Sequence, residues 1–114
     1  MIHSRFPIPQ GTLDMLILQI VALEPAHGYA IAQWIQDTTD DALKVEEGSL
    51  YPALHRLENK GLIESKWGTS ENNRQAKYYG LTPVGRRTLR AESDSWIQYA
   101  AAITKVITAS RQPA

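Results

Sequence analysis

Residues 46–61 read EEGSLYPALHRLENKG, and this stretch decides the fold of the chain. Its leucines recur at intervals of four and three residues, the spacing of one face of an α-helix, at Leu50, Leu54 and Leu57. We predict Ser49 as the N-cap, which places Pro52 in the first turn, where its missing N–H has no intrahelical partner to lose. The cationic Lys60 and the glycine Gly61 after it are typical of a helix end.

The face of this predicted helix (residues 49–60) that lies opposite the leucines carries side chains that donate, accept, stack or hold charge. They are Ser49, Tyr51, His55, Arg56 and Asn59. A polar helix face of this size fits the major groove of DNA. Plainer roles stay open: Ser49 as a cap alone, Tyr51 as a packing residue against a hairpin, and His55 with Arg56 as a solvated surface.

Two further helices are predicted upstream. The first starts with Thr12 as its N-cap, continues with apolar residues at helical spacing, and ends before Pro25. The second covers about residues 26–36. The polar stretch at residues 37–41 indicates a loop before the third helix.

A β-hairpin is predicted downstream, with strands at residues 62–67 and 75–81. The residues between them, 68–74, are polar and rich in turn formers, which favours a hairpin with a long tip. Tyr78 and Tyr79 point to opposite faces of the second strand, so one should be buried and the other exposed. The pattern does not say which of the two is buried.

The last predicted helix starts with Thr82 as N-cap and Pro83 at the first helical position, and continues to about Ser110. Its apolar residues follow a seven-residue repeat with intermediate positions filled, as in a coiled coil: Leu89, Trp96, Tyr99, Ile103, Val106 and Ile107. A small domain cannot cover so long an apolar stripe. The stripe therefore predicts a homodimer, with two-fold symmetry, formed through this helix.

Three short helices, a β-hairpin and a long final helix make a mainly α fold with a small β-hairpin, and this order is typical of a winged helix-turn-helix. We expect the DNA-binding domain at residues 1–81 and a dimerisation helix at residues 82–114. The hairpin tip would lie beside the third helix and reach the DNA backbone. The predicted DNA contacts are Ser49, Tyr51, Pro52, His55 and Arg56 on the helix, and Asn72, Asn73, Arg74 and Lys77 on the hairpin.

The distribution of charge supports an anionic partner for the middle of the chain. The net charge is zero, with 12 basic and 12 acidic residues, and alone it would argue against DNA. Residues 1–43 carry a net −4, residues 44–90 a net +4, and residues 91–114 none. The positive charge thus falls on the third helix, the hairpin and the start of the last helix, where phosphates would be met.

Composition excludes several other classes of protein. With no cysteine, the chain is neither a disulfide scaffold nor a thiol enzyme, and its three histidines lack metal-ligand spacing, so we expect no metal and no cofactor. No arrangement of Ser, His and Asp suggests a triad, so we do not expect an enzyme. No apolar run is long enough for a membrane span and no signal segment is evident, so we expect a cytoplasmic protein without membrane contact.

Several spaced blocks of the sequence resemble the PadR-like (phenolic acid decarboxylase repressor) family of transcriptional regulators. The blocks are GTLD at residues 11–14, HGY at 27–29, EEGSLYPALHRLE at 46–58, KGLI at 60–63, Arg74 with KYY at 77–79, and LTPVG at 81–85. The tail resembles the smaller subfamily, which has a single C-terminal helix. The resemblance implies a winged-helix dimer that usually represses transcription and is often relieved by a small, frequently aromatic ligand.

The sequence as a whole predicts a sequence-specific DNA-binding repressor that binds a pseudo-palindromic operator in double-stranded DNA as a homodimer. Two Trp96 side chains across a dimer axis would leave a flat apolar cavity, and with Tyr99 they form the predicted site for a planar aromatic effector. Filling of the dimer core by Trp96 is the plainer alternative. Two rival functions stay open: a winged-helix protein-interaction module, and a ligand-binding carrier that does not bind DNA.

Overall fold

The computed structural model describes residues 5–111, which form a winged helix-turn-helix with a long C-terminal helix. In this part of the chain the elements are α1 (Gln10–Leu23), α2 (Gly28–Thr38), α3 (Glu47–Asn59), β1 (Ile63–Thr69), β2 (Gln75–Leu81) and α4 (Pro83–Thr108). The strands form an antiparallel hairpin. The predicted fold class is confirmed.

The N-cap of helix α3 lies three residues earlier than Ser49, the predicted cap. Glu46 is the N-cap, and its carbonyl accepts hydrogen bonds from the N–H groups of Ser49, at 3.0 Å, and Leu50, at 2.9 Å. Glu47 then places a carboxylate in the positively polarised first turn. Pro52 consequently lies inside the helix, where it deprives the Gly48 carbonyl of its usual N–H donor; both residues are exposed, so water can supply that hydrogen bond.

Helices α1 and α2 also differ from their predicted starts. Helix α1 begins at Gln10, because the extended Pro9 offers its carbonyl to the Leu13 N–H at 2.9 Å; Thr12 is therefore a helical residue and not the cap. Helix α2 begins at Gly28 and not near Ala26, because the backbone of Ala26 exchanges two hydrogen bonds with β2. His27 is the cap of α2.

One apolar core unites the three short helices, the hairpin and the start of α4. Its buried members are Leu13, Ile17, Leu18, Ile20, Val21, Ile31, Ile35, Leu50, Ala53, Leu54, Leu57, Ile63, Tyr79 and Leu89. The leucines that predicted α3 are all in this core. The sequence also assigned Leu89 to the dimerisation stripe, and this assignment is wrong in the structure, because Leu89 is 7% exposed and packs into the core of its own chain.

The hairpin register resolves the ambiguity between the two tyrosines. Strand β1 extends to Thr69, two residues beyond the predicted end, and pairs there with Gln75, so the loop covers only residues 70–74. Tyr79 lies on the face that meets the helices and is 8% exposed. Tyr78 lies on the other face, where its hydroxyl donates to the Thr69 carbonyl.

Helix α4 is fastened to the domain at its first turn and then extends away from it. The Thr82 hydroxyl oxygen accepts from the Gly85 N–H at 3.0 Å and donates to the Gly61 carbonyl at 2.6 Å, which confirms Thr82 as the predicted N-cap. The 26 residues of α4 span about 39 Å at about 1.5 Å per residue. Beyond Leu89 its apolar side chains face outward, with Trp96 49% and Val106 78% exposed. No helix in residues 5–111 combines the length and apolar character that a membrane span requires.

Candidate nucleic-acid interface

An open groove of about 740 Å³ separates α3 and the start of α2 from the inner face of the hairpin; we call it the wing groove. Four of the predicted DNA contacts line it, one from α3 and three from the hairpin: Tyr51, Asn72, Arg74 and Lys77. Ser49, Pro52 and His55 are exposed along α3 outside the groove wall, and Asn73 is exposed at the hairpin tip. The fold thus brings together two sets of residues that lie about 20 positions apart in the sequence.

Tyr51 is held at the wing groove by close contact with Gly28. A Cβ atom at Gly28 would lie 3.0 Å from the Tyr51 Cε1 atom and 3.1 Å from its hydroxyl oxygen, so a larger residue here would require the ring to move by a few tenths of an ångström. The side chain is still 48% exposed, which leaves part of it accessible to a ligand. This contact gives the glycine at residue 28 a physical purpose that sequence reasoning did not find.

His27 joins the start of α2 to the hairpin. Its Nδ1 atom accepts a hydrogen bond from the Ala30 N–H at 3.2 Å and caps the helix. Its ring also meets the Tyr78 ring edge-on, with the centroids 5.3 Å apart and an interplanar angle of 75°. The imidazole therefore contacts both walls of the wing groove, next to the two backbone hydrogen bonds that join Ala26 to Tyr79 of β2.

The groove contains two exposed aromatic residues that sequence reasoning missed. Trp67 is 67% exposed and Tyr29 is 70% exposed. Trp67 is paired with Lys77 across the hairpin, and the Lys77 ammonium group lies 5.9 Å from the centroid of the indole ring. Alternation along β1 could have suggested that Trp67 lies on the same face as Ile63, but its pairing with Lys77 depends on the register, which the sequence leaves open.

The hairpin tip carries the remaining predicted contacts on a turn that is closed by its own hydrogen bonds. The Ser70 N–H donates to the Arg74 carbonyl at 2.8 Å, and Asn73 adopts a left-handed conformation with φ of 58°. Asn72, Asn73 and Arg74 are all exposed. The left-handed backbone explains an asparagine at residue 73, since asparagine tolerates positive φ better than most residues.

Arg56 is the predicted DNA contact that the structure turns away from the wing groove. Its Nη2 atom lies 2.9 Å from the Asp14 Oδ1 atom on α1, and both side chains are partly buried. The predicted contacts that stay exposed on α3 are Ser49, Tyr51, Pro52 and His55, and Asn59 is exposed at the end of the same face. None of these five side chains carries a fixed positive charge.

A second, smaller groove of about 330 Å³ lies between the start of α1 and the middle of α4; we call it the tail groove. It is lined by Trp96 and Tyr99, the two predicted ligand residues, together with Met15 of α1 and the carboxylate of Glu92. Ile103, Val106 and Ile107 continue the exposed apolar face of α4 beyond the groove. The structure therefore places the two predicted ligand residues beside the predicted dimerisation surface.

Titratable groups in residues 5–111 give little sign of catalytic chemistry. Within this range no group of three or more His, Asp or Glu side chains is arranged to hold a metal ion. Burial raises the pKa of the Tyr79 hydroxyl, and the nearby Glu58 and Tyr51 raise it further. Tyr79 is a core residue at the back of the wing groove, so this shift reflects packing.

A family model described as the transcriptional regulator PadR-like family matches residues 17–91. The chain belongs to this family. The match covers more than half of the chain, from the middle of α1 to the first turns of α4, and so includes both walls of the wing groove. The resemblance predicted from the sequence blocks is confirmed, as is the prediction that the chain is not an enzyme.

Comparisons with individual proteins agree with this assignment. A transcriptional regulator of Mycobacterium tuberculosis is 36% identical over 81 residues, which are 70% of this chain and 71% of that protein. The crystal structure of a protein from Streptococcus mutans superimposes with a TM-score of 0.81 at 28% identity, covering 96% of this chain and 98% of that one. A PadR-like transcriptional regulator from Bacillus cereus superimposes with a TM-score of 0.77 at 28% identity, covering 89% and 96%.

Proposed function

We propose that this PadR-like regulator is a transcriptional repressor that binds a pseudo-palindromic operator in double-stranded DNA as a homodimer. The observation that carries the proposal is the wing groove, where α3 and the hairpin present an exposed tyrosine, two cations and an asparagine around one open cleft. A winged helix places such a helix in the major groove, and its hairpin then lies against the flanking backbone.

We expect α3 to recognise bases through Ser49, Tyr51, Pro52 and His55, none of which carries a fixed charge. Tyr51 and Pro52 can contact the methyl group of thymine, and Ser49, His55 and the Tyr51 hydroxyl can hydrogen-bond to base edges or phosphates. These side chains are exposed, whereas the Arg56 guanidinium is engaged by Asp14. We therefore expect α3 to read sequence by apolar and neutral polar contacts.

We expect the hairpin to bind phosphates of the DNA backbone. Arg74 and Lys77 line the wing groove, and the indole ring of Trp67 beneath Lys77 limits the positions that the ammonium group can take. Phosphate contacts supply affinity that depends on salt concentration and not on sequence. A protein-interaction role for the same surface is less well supported, because such a role favours an apolar surface, whereas this one includes Ser49 and His55 on α3 and two cations on the hairpin.

The exposed apolar face of α4 supports the homodimer. Beyond Leu89 the helix leaves its own domain, and Trp96, Tyr99, Ile103, Val106 and Ile107 stay between 40% and 78% exposed. Contiguous apolar surfaces of this length are usually interfaces. A two-fold dimer would present two α3 helices to successive major grooves, with half-sites about 34 Å apart or a multiple of that distance.

We further propose that a planar aromatic ligand, preferably cationic, binds in the tail groove and relieves repression. Trp96 and Tyr99 offer flat faces for stacking, and Glu92 offers a carboxylate for a cation. A planar cationic dye should quench the tryptophan fluorescence of the wild-type protein but not of Trp96→Ala. Equal quenching in the two proteins would contradict this ligand site.

Selection of duplexes from a random pool tests the DNA-binding proposal directly. We expect the bound sequences to converge on an inverted repeat whose half-sites are one helical turn apart or a multiple of it. Sedimentation of the complex should then show two chains per duplex. Recovery of unrelated sequences, or no recovery above background in low salt, would refute sequence-specific binding.

A further inference from the structure

The Asp14–Arg56 ion pair connects two helices whose relative position matters for DNA binding. The Arg56 Nη2 atom donates to the Asp14 Oδ1 atom at 2.9 Å, across 42 positions of sequence. The exposed fractions of the two side chains are 16% for Asp14 and 31% for Arg56. Partial burial reduces the screening of this pair by water and salt, so it is stronger than an ordinary surface ion pair.

The Arg56 side chain holds this position although one of its donors is left without a partner. Its Nε atom is buried and has no hydrogen-bond partner. Among the residues that the structure describes, no other buried side-chain nitrogen or oxygen lacks a partner. An arginine directed outward from α3 would satisfy every N–H group with water. The inward position therefore depends on attraction to the Asp14 carboxylate and not on the general demand for hydrogen bonds.

Helix α1, which carries Asp14, packs against both α3 and α4. On one side of α1, Asp14 holds the last turn of α3 through Arg56. On another side, Thr12 and Met15 line the tail groove opposite Trp96. The ion pair thus links α3 to α1, and α1 also packs against α4.

We propose that Asp14 is a positioning residue for DNA recognition and that it acts through Arg56; this inference rests on the proposed function. By fixing α3 on α1, the pair sets the rotation of α3 about its own axis and its distance from α4. In the dimer, this distance determines the separation of the two recognition helices. Asp14 therefore controls both affinity and the preferred spacing of the half-sites without touching DNA.

The experiment compares Asp14→Asn, Arg56→Gln and the double variant with the wild type on the operator obtained by selection. Asp14→Asn keeps the shape and an acceptor oxygen but removes the charge. We expect each variant to bind the operator roughly tenfold more weakly, the effect expected when one charge-assisted hydrogen bond is weakened or lost. Binding to operators whose half-sites are one base pair closer or further apart should fall less, so the preference for the native spacing shrinks.

Three further measurements separate positioning from direct contact. The double variant should bind no more weakly than either single variant, because both remove the same interaction. The dependence of affinity on salt should stay that of the wild type, since no phosphate contact is lost. Asp14→Glu keeps the charge on a longer side chain and should bind the operator almost as tightly as the wild type. Asp37→Asn is the matched control: it removes the same charge from an exposed position on α2 and should leave the affinity unchanged.

Each alternative outcome would overturn the inference. Tighter binding by Asp14→Asn with a steeper salt dependence would show that Arg56, once released, is itself a phosphate contact. Unchanged affinity and spacing preference in variants that melt at lower temperature would show a purely structural pair. If Asp14→Asn does not fold, unchanged affinity and spacing preference in the folded Arg56→Gln variant would have the same consequence. Failure of the wild type to select any duplex would refute the proposed function itself.

Discussion

Gly85 lies where the first turn of α4 meets the start of the hairpin, and we expect its replacement by alanine to destabilise the fold. An alanine Cβ at this position would lie 2.9 Å from the Leu62 carbonyl carbon and 2.9 Å from the Leu81 Cδ1 atom, and closer still to the Leu62 carbonyl oxygen. That oxygen also accepts hydrogen bonds from the Thr82 N–H and hydroxyl, at 3.1 Å each. The obstacle is therefore hydrogen-bonded backbone, which cannot rotate away.

The magnitude follows from two opposing effects. Overpacking of a close-packed site costs about 1–3 kcal/mol. We expect Gly85→Ala to lie near the upper end of this range, because the alanine Cβ would collide with backbone atoms and not with a movable side chain. Alanine regains up to about 1 kcal/mol through its higher helix propensity. The expected net loss is about 2 kcal/mol in the free energy of unfolding. For a chain of this length that loss lowers the midpoint of thermal unfolding by about 8 °C.

The assay is thermal unfolding followed by circular dichroism at one fixed protein concentration, because the proposed dimer would make the midpoint depend on concentration. Gly11→Ala is the matched control: Gly11 lies in the first turn of α1, and no atom lies within 4 Å of the Cβ it would gain. This control should be as stable as the wild type or up to about 1 kcal/mol more stable. A Gly85→Ala protein that melts at or above the wild-type temperature would refute the packing argument.

Three other expectations concern DNA, assembly and pH. Arg74→Ala and Lys77→Ala should weaken binding to all duplexes alike and each lower the slope of log affinity against log salt by about 1; a loss confined to the selected operator would contradict phosphate contact. Trp96→Asp with Ile103→Asp should shift the protein to monomers in sedimentation equilibrium, and an intact dimer would exclude the α4 interface. Because burial raises the pKa of Tyr79, the unfolded state loses this proton first as pH rises above about 10. Stability measured by urea unfolding should therefore fall as pH rises above about 10, and less steeply in Tyr79→Phe; equal slopes would refute a contribution from Tyr79.

Much of the fold could be predicted because its signals are local. Thr82 followed by Pro83 marks a helix start through the chemistry of two adjacent residues, and the structure has that helix start at the predicted place. The turn-forming residues between two β-rich stretches predicted the hairpin in the same way. Helix starts were misplaced where a backbone carbonyl, at Pro9 and at Glu46, replaced the side-chain cap that the sequence suggested.

The candidate interface was predictable in outline and not in detail. A helix face can be read from spacing alone, so Tyr51 and His55 were placed on the exposed side of α3. Tertiary structure decided the direction of the Arg56 side chain. This side chain turns towards α1 because it forms an ion pair there with the Asp14 carboxylate, 42 positions away in the sequence. The same holds for Trp67, whose contact with Lys77 exists only in one strand register.

By itself the sequence determined that this chain forms three short helices, a hairpin and a long amphipathic helix, because these elements depend on the period and chemistry of neighbouring residues. Tertiary structure alone decided which members of each pattern are available for binding. Leu89 and Trp96 occupy equivalent positions of one heptad repeat, but Leu89 lies where α4 still packs on its own domain and Trp96 lies beyond that contact. Periodicity specifies the direction of a side chain from its helix, and only the packing of distant elements specifies what that side chain meets.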